Sequence, residues 1–401
     1  MIKIMIFRKK TNKKRIFLDY ASITPVDLEV EKEMDKVGRT TFANPSALYD
    51  EAFIAKELVE DARKKVAGIL NAQKSEVVFT SGGTEGNNLA LLGVFEAHKK
   101  DGFVPHFITT VIEHSAILEV CKEIERRGGE VTYLKVSPEG LVSPKDIHGA
   151  LKENTVLVTV AYANNEIGTI QPIKDIGRAI KDWRQKKTEH QNGAWPYFHT
   201  DACQAGPYLS LDVLKLGVDI MTLDGIKIYG PRGMGILYLR HGVNVTPVIF
   251  GGGQEKGLRS GTENVPGIVG FAKALEIADS LREKESERLT ALRDYATDSI
   301  IKNFPKAVLN GSKESRLPNN INVCFRGLDA EFAVISLDMA GISVSYSSSC
   351  RTLKEDPSSY VVSALDMGDC STSSLRFTLG RESTKKDIDD LLNALQKIVL
   401  Q

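Results

Sequence analysis

The feature that most constrains the fold is an alternation of apolar and amphipathic segments between about residue 75 and residue 240. Short apolar runs, such as "EVVFTS", "HFITTVI" and "TVLVTVAYAN", are each followed by a stretch with helical periodicity, such as "TEGNNLALLGVFEAHKK". Strands that are apolar throughout and separated by helices are typical of a parallel sheet covered on both faces. The pattern therefore predicts an α/β domain with a mostly parallel, doubly wound sheet.

The C-terminal part of the chain predicts a second, smaller domain. Residues 264–304 read as one long helical stretch, which is followed by a few strands with intervening helices. The total of 401 residues also exceeds the usual size of one hydrophobic core. We therefore expect an N-terminal segment, residues 1–28, that packs with the small domain, a large α/β domain, residues 29–270, and a small α+β domain, residues 271–401.

Charge and cysteine content narrow the function classes. Lys+Arg and Asp+Glu both number 52, so no overall field attracts nucleic acid or an anionic membrane, and a small neutral or zwitterionic ligand is the more natural partner. No apolar run approaches the ~20 residues that span a bilayer. Five widely spaced cysteines favour reduced thiols in a cytoplasmic protein over a disulfide framework or a metal site. The basic N-terminus reads as a solvated tail, with a docking or targeting segment as the alternative.

Polar residues follow five predicted strands. Ligands bind beyond the carboxyl ends of strands in open parallel sheets, so we expect these residues to line one site. They are Ser81 to Thr84, His114, Asn164 and Asn165, Asp201 and Gln204, and Lys227. A lysine normally keeps its ammonium group in water, so Lys227 at an apolar strand end either extends to solvent or has a chemical role.

Taken alone, each of these residues has a structural alternative. The segment "SGGTEGNN" is a glycine-rich turn before a helix and could bind a phosphate, but Thr84 could equally be a helix cap. His114 could be a hydrogen-bonded residue at a helix start, and Asp201 could be a turn residue. Together they supply phosphate donors, a carboxylate for a ring nitrogen, an aromatic face and an amine for an aldehyde. These are the parts of a pyridoxal 5'-phosphate (PLP) site.

A series of motifs extends this reading to a family. From about residue 17 onward, "FLDYASITPVD", "VVFTSGGTEGNNLA", "ANNEIGTIQPI", "HTDACQAG", "IKIYGPRGMGILY", "SSSC" and "SLRFTLGRES" occur in an order that resembles the cysteine desulfurases. These are class V aminotransferase-type enzymes of PLP fold type I. The resemblance implies a homodimer that converts L-cysteine to L-alanine. It also implies an enzyme persulfide whose sulfur goes to an acceptor or scaffold protein, for iron–sulfur clusters or tRNA thiolation.

The resemblance further implies roles around the cofactor ring. Lys227 would be the lysine that bonds PLP covalently, and Asp201 would pair with the ring nitrogen. Gln204 would contact the ring hydroxyl. His114 would stack on the ring and shuttle protons.

Phosphate and substrate contacts are implied in the same way. Gly83 and Thr84 would hold the phosphate, together with Thr262 from the partner subunit. Asn165 would lie near the substrate. Arg376 would receive the substrate carboxylate, because a guanidinium donates two parallel hydrogen bonds to a planar carboxylate.

Cys350 is the candidate sulfur acceptor within the chain. It lies in the polar segment "SYSSSCRTLKEDPSSYVV", which resembles the longer catalytic loop of the iron–sulfur-cluster and nitrogen-fixation type, and neighbouring Arg351 favours a thiolate. A buried structural cysteine is the alternative. If Cys350 is incidental, the chain would be another class V PLP enzyme, such as a selenocysteine lyase or an aminotransferase.

One motif departs from the family pattern. Asp224 and Ile226 stand where the family usually has a serine and a histidine that donate to the PLP phosphate. A carboxylate repels a phosphate, so Asp224 would have to turn away, bind a cation or be protonated. We expect PLP to bind, but more weakly than in relatives. The departure also motivates the least favoured reading, a non-catalytic scaffold.

Overall fold

The computed structural model describes residues 15–187, 195–346 and 358–399. In chain order, the strands are β1 (Ile16–Phe17), β2 (Val77–Thr80), β3 (His106–Thr110), β4 (Glu130–Leu134), β5 (Thr155–Thr159), β6 (Tyr197–Asp201), β7 (Ile220–Asp224), β8 (Gly235–Leu239), β9 (Ala307–Leu309), β10 (Asn320–Phe325), β11 (Ile342–Ser343) and β12 (Ser374–Thr378). The helices are α1 (Leu28–Thr40), α2 (Asp50–Leu70), α3 (Gly83–His98), α4 (Ser115–Arg126), α5 (Pro144–Ala150), α6 (Ile173–Lys187), α7 (Val213–Leu216), α8 (Val265–Asn303), α9 (Ala330–Met339), α10 (Tyr360–Ser363) and α11 (Lys385–Val399).

Seven strands form the central sheet, in the order β2-β8-β7-β6-β5-β3-β4. Strand β8 runs antiparallel to both of its neighbours, and the other adjacent pairs are parallel. This arrangement confirms the predicted fold class. It also places the carboxyl ends of β2, β3, β5, β6 and β7 at one edge of the sheet, where the predicted polar residues follow them.

Helices cover both faces of this sheet. The side chains of β8 alternate: Ile236 and Tyr238 pack into the core under α1, α2 and the first half of α8, whereas Leu237 and Leu239 pack under α3 and α4. All four are less than 9% exposed. Burying a side chain such as Leu237 contributes roughly 1.5–3 kcal/mol, which explains why these strands are apolar on both faces.

A second hydrophobic core is built around a smaller sheet of three strands. The antiparallel sheet β12-β10-β9 packs with the second half of α8, with α9 and with α11. Strand β1 pairs in parallel with β11, so the N-terminal residues lie against this part of the chain. Helix α8 contributes to both cores, and the predicted boundary between residues 270 and 271 falls within it. The division into 1–28, 29–270 and 271–401 remains a prediction.

The cysteines differ from the sequence expectation. Cys324 on β10 and Cys370, in a short 3-10 turn before β12, form a disulfide, whereas Cys121 and Cys203 are free and buried. The expectation that all five thiols are reduced is therefore wrong for this pair. The two residues are 46 positions apart, and only the packing of the turn against β10 brings them together. In the described residues, no helix combines the length and apolarity needed to cross a membrane.

Candidate active site

A cavity of about 190 Å³ opens at the carboxyl edge of the central sheet. Ten of the predicted residues line it: Gly83, Thr84, His114, Asn164, Asn165, Asp201, Gln204, Asp224, Lys227 and Arg376. They come from five strand ends of the central sheet and from β12 of the small sheet. The fold thus brings together residues that are separated by up to about three quarters of the chain.

Lys227 points its amine into this site. Strand β7 ends at Asp224, and residues Gly225–Lys227 form a single 3-10 turn, so the lysine lies just beyond the strand rather than within it. Its Nζ donates to the backbone carbonyls of Ala21 (2.9 Å) and Ser22 (2.6 Å). The lysine therefore does not simply extend to solvent; the N-terminal segment holds its amine at the cavity.

Asp201 is the last residue of β6, next to β7 in the sheet, and is 9% exposed. Its Oδ2 accepts a hydrogen bond from Asn87 Nδ2 at 2.7 Å, and its Oδ1 accepts one from the Cys203 backbone N–H at 3.0 Å. The two bonds fix the orientation of the carboxylate. The sequence interpretation missed Asn87, although its position one helical turn after Gly83 on α3 was a signal that both face the same site.

Two buried titratable groups, Glu113 and His199, interact electrostatically with Asp201. Burial raises the pKa of Glu113 to about 8, and the nearby Asp201 charge adds to this shift. Burial lowers the pKa of His199 to about 4, and its ring lies between the hydroxyls of Thr159 and Thr222. Both groups are thus neutral at pH 7. Asp201 therefore has an uncharged histidine and an uncharged carboxyl group as neighbours.

His114 caps helix α4. Its Nδ1 accepts a hydrogen bond from the Ala116 backbone N–H at 3.1 Å. The Nδ1 atom is therefore unprotonated in this arrangement, and the proton of the neutral ring is on Nε2. The structural reading of His114 as a helix-start residue is correct, but the residue also lines the cavity. The two roles are compatible.

The turn at Ala21 and Ser22 closes one side of the cavity. Gln204 Nε2 donates to the Ala21 carbonyl at 2.9 Å, the same oxygen that binds the lysine amine. Gln204 and Lys227 are thus positioned relative to each other by one backbone group. Because Ala21 is about 200 residues from Lys227 in the chain, no local sequence pattern indicated this contact.

The start of α3 also lines the cavity, through Gly83 and Thr84. The helix cap is Gly82, at φ +147°, so the alternative that Thr84 caps the helix is wrong. The Gly83 N–H instead donates to Oδ2 of Asp224 at 2.8 Å. A Cβ atom at Gly83 would lie 2.8 Å from Cys203 Sγ, so this close approach requires glycine.

Arg376 lies on β12 and is 2% exposed. Its Nη1 donates to the Asn165 carbonyl at 2.9 Å, and its Nη2 donates to Asp19 Oδ1 and Ser22 Oγ, both at 2.8 Å. Its Nε is buried and has no hydrogen-bond partner in the described part of the chain. The sequence interpretation missed Asp19 and Ser22, which orient this guanidinium from more than 350 positions away.

Ser81 and Gly82 do not line the cavity. Thr262 is exposed in the loop before α8 and does not line it, which is compatible with its predicted role in a partner subunit's site. Cys350 lies outside the described residues. The roles of Thr262 and Cys350 remain predictions.

The residues that line the cavity fit PLP. An amine (Lys227) and a fixed carboxylate (Asp201) lie at the ends of adjacent parallel strands, as a pyridine aldehyde with a ring nitrogen requires. Backbone N–H groups at the start of α3 suit a phosphate. Asp224 shares this end of the cavity, and its charge is the one feature of the donor set that opposes a phosphate.

The comparisons with known proteins agree with this geometry. Residues 16–391 match the family model described as aminotransferase class-V. The chain is 41% identical over 388 residues to the cysteine desulfurase IscS of Dictyoglomus turgidum, covering 96% of this chain and 95% of the relative. It is also 41% identical over 389 residues to that of Methanosarcina thermophila, covering 97% of this chain and 93% of the relative.

Solved structures extend the likeness to three dimensions. A NifS-like protein superposes with a TM-score of 0.87 at 34% identity, covering 96% of this chain and 99% of the other. SspA in complex with cysteine superposes with a TM-score of 0.77 at 34% identity, covering 91% and 98%. These matches confirm the fold and the resemblance seen in the sequence motifs. The chain belongs to the class V aminotransferase family.

Proposed function

We propose that this protein is a PLP-dependent cysteine desulfurase, which converts L-cysteine to L-alanine and keeps the sulfur as a persulfide on Cys350. The observation that carries the proposal is the meeting of Lys227, Asp201 and Arg376 at one cavity. Full-length relatives are named cysteine desulfurases, and one similar structure has cysteine bound. PLP, which the family uses, supplies an electron sink for the breaking Cα–H bond when it is bound.

Lys227 and Asp201 have different roles in proton transfer. The Lys227 amine would be the base that removes the substrate Cα proton. When PLP is bound, the Asp201 carboxylate would pair with its ring nitrogen and favour the protonated form, because an opposite charge favours the cationic form. The bonds from Asn87 and the Cys203 N–H hold Asp201 in place for this task. His114 accepts at Nδ1 and therefore holds the proton of its neutral ring at Nε2.

Arg376 recognises the substrate carboxylate. The charge of Arg376 is partly balanced by Asp19, but its buried Nε lacks an acceptor among the described residues. Arg376 also lines the cavity, so its guanidinium can donate to a substrate carboxylate there. Asp19, Ser22 and the Asn165 carbonyl act as positioning groups, because they fix the guanidinium plane before the substrate arrives.

Cys350 completes the reaction. Its thiolate attacks the substrate sulfur, the carbon–sulfur bond breaks with its electron pair left on carbon, and protonation of that carbon gives alanine. The sulfur stays on Cys350 as a persulfide until a thiol reductant or an acceptor protein takes it. We expect the acceptor to be an iron–sulfur scaffold or a tRNA-thiolation protein.

Replacement of Cys350 by alanine tests this function. A desulfurase loses nearly all alanine production from L-cysteine in the presence of a thiol reductant, while PLP content is unchanged. The matched control is Cys121→Ala, since Cys121 is a buried thiol outside the cavity whose pKa is raised by burial. An aminotransferase or another class V enzyme in which Cys350 is incidental would keep its turnover in both variants.

We further propose that the chain works as a homodimer in the cytoplasm. Phe42, Leu48 and Phe250 are 87%, 90% and 78% exposed, and an interface between copies would cover such side chains. Thr262 would then reach the partner's site. The cytoplasm suits Cys350, which needs a reduced thiol, although the Cys324–Cys370 disulfide is unusual there. Sedimentation of the holoprotein tests the dimer: a mass of two chains supports it, and a mass of one chain contradicts it.

A further inference from the structure

Asp224 occupies the place where the start of α3 would bind an anion. Its Oδ2 accepts from the Gly83 N–H at 2.8 Å, and its Oδ1 accepts from the Ile226 N–H at 3.1 Å. The Gly82 cap has no side chain, so this carboxylate, from 141 positions away, acts as the cap of α3. The free N–H groups and the dipole at a helix start favour a negative charge. The same groups would bind a phosphate, so the two anions compete.

The charges around Asp224 do not neutralise a second anion. The charged and titratable groups that act on Asp224 or lie beside it are Lys227 in the same turn, Asp201 at the end of β6 and the Cys203 thiol. His114 and Arg376 also line the cavity, whereas Glu85 in the first turn of α3 does not. Glu85 forms an ion pair with Arg259 (Oε1 to Nε, 3.0 Å), so its negative charge is already balanced. One lysine therefore faces two carboxylates before a phosphate with a charge of about −1.5 to −2 arrives.

We infer that Asp224 couples PLP uptake to a proton: the carboxylate caps α3 until it is protonated, and its O–H then donates to the PLP phosphate. The inference rests on the proposed function and concerns how this site admits its cofactor. Protonation removes one negative charge and turns an acceptor into a donor. It needs no movement of the backbone.

The two other ways to accommodate a phosphate are less consistent with the geometry. Turning Asp224 away would leave the Ile226 N–H group, which does not belong to the start of α3, without its acceptor. A bound cation would need further ligands, and within residues 15–187, 195–346 and 358–399 no group of three potential metal ligands includes Asp224. Burial already raises the pKa of Asp224, with the Asp201 charge adding to the shift, while its two backbone hydrogen bonds and Lys227 oppose it. The protonated form is therefore more accessible than for an exposed aspartate.

Calorimetric titration of the apoprotein with PLP tests the coupling. Titrations at one pH in two buffers with different ionisation enthalpies give the number of protons taken up per PLP. We expect the wild type to take up about one more proton than Asp224→Asn at a pH between the pKa of Asp224 in the apoprotein and its higher pKa in the complex. Within that range, the wild-type Kd for PLP should rise about tenfold per pH unit relative to the variant. Protons released by the phosphate or by Lys227 are common to both proteins and cancel in the comparison.

The outcomes separate the inference from the function. If both proteins bind PLP with the same proton uptake and the same pH dependence, the coupling is refuted and the cofactor assignment stands. If neither protein develops the visible absorbance of bound PLP, the proposed function fails, and the inference fails with it. Should the Asn variant not fold, infrared difference spectra of the wild type serve instead. A protonated carboxyl band that appears on PLP addition, and is absent in Asp224→Ser, supports the coupling; no such band refutes it.

Discussion

Replacement of Asp201 by asparagine should lower kcat by roughly two to three orders of magnitude. The substitution keeps the size of the side chain and an oxygen that can accept from Asn87 or from the Cys203 N–H, so the change is mainly one of charge. A contact ion pair about 4 Å apart, at an effective dielectric of ~20, contributes about 4 kcal/mol. This corresponds to about three pH units in the protonation of the ring nitrogen, or a factor of roughly 10³. The asparagine amide could compensate for part of the lost ion pair, which is why the smallest expected decrease in kcat is about two orders of magnitude rather than three.

The assay is alanine formation from L-cysteine at saturating PLP, with PLP content measured on the same samples. The control is Asn87→Ala, which removes one of the two hydrogen bonds to Asp201 and keeps the charge. The loss of one such bond costs about 1–1.5 kcal/mol, so kcat should fall by roughly tenfold. If Asp201→Asn retains half of the wild-type kcat with a full complement of PLP, the assignment of Asp201 to the ring nitrogen is refuted.

Three further predictions follow from buried groups. Arg376→Lys loses the forked contacts, and the KM for L-cysteine should rise roughly 10- to 100-fold in steady-state assays with a smaller change in kcat; an unchanged KM would contradict carboxylate recognition. Burial raises the pKa of Glu113 to about 8, so the wild type should lose stability relative to Glu113→Gln as pH rises from about 4.5 to 8, by at most about 1.4 kcal/mol per pH unit. Urea unfolding across this range checks the sign, and parallel curves would rule it out. Replacing Cys324 and Cys370 by serine should lower the free energy of unfolding by about 2–4 kcal/mol in non-reducing buffer and not in dithiothreitol; alkylation of both thiols in the native protein would exclude the disulfide.

The large sheet could be predicted from the sequence because each of its strands and helices has its own local hydrophobic pattern. Each apolar run is continuous, each following helix has its own period, and the rule that parallel strands end at one edge then places Asp201, Gln204 and Lys227 at the same cavity. The long helix α8, predicted from 264–304, spans Val265–Asn303 for the same reason.

The remaining features depend on contacts between distant residues, which leave no periodic signal. The Asp224 carboxylate caps α3 across 141 positions, and Asp19 orients Arg376 across 357 positions. The disulfide joins two cysteines whose spacing matches no motif. In each case the pairing follows from the packing of segments that are distant in the chain, and not from either segment alone.

Borohydride reduction of the PLP-loaded protein, followed by proteolysis and mass spectrometry, tests the central claim most directly. Reduction converts the bond between a lysine amine and the PLP aldehyde into a stable secondary amine. The account predicts one phosphopyridoxyl group per chain, on the peptide that contains Lys227, and none in Lys227→Arg. A label on a different lysine, or no label at saturating PLP, would contradict the assignment of this cavity.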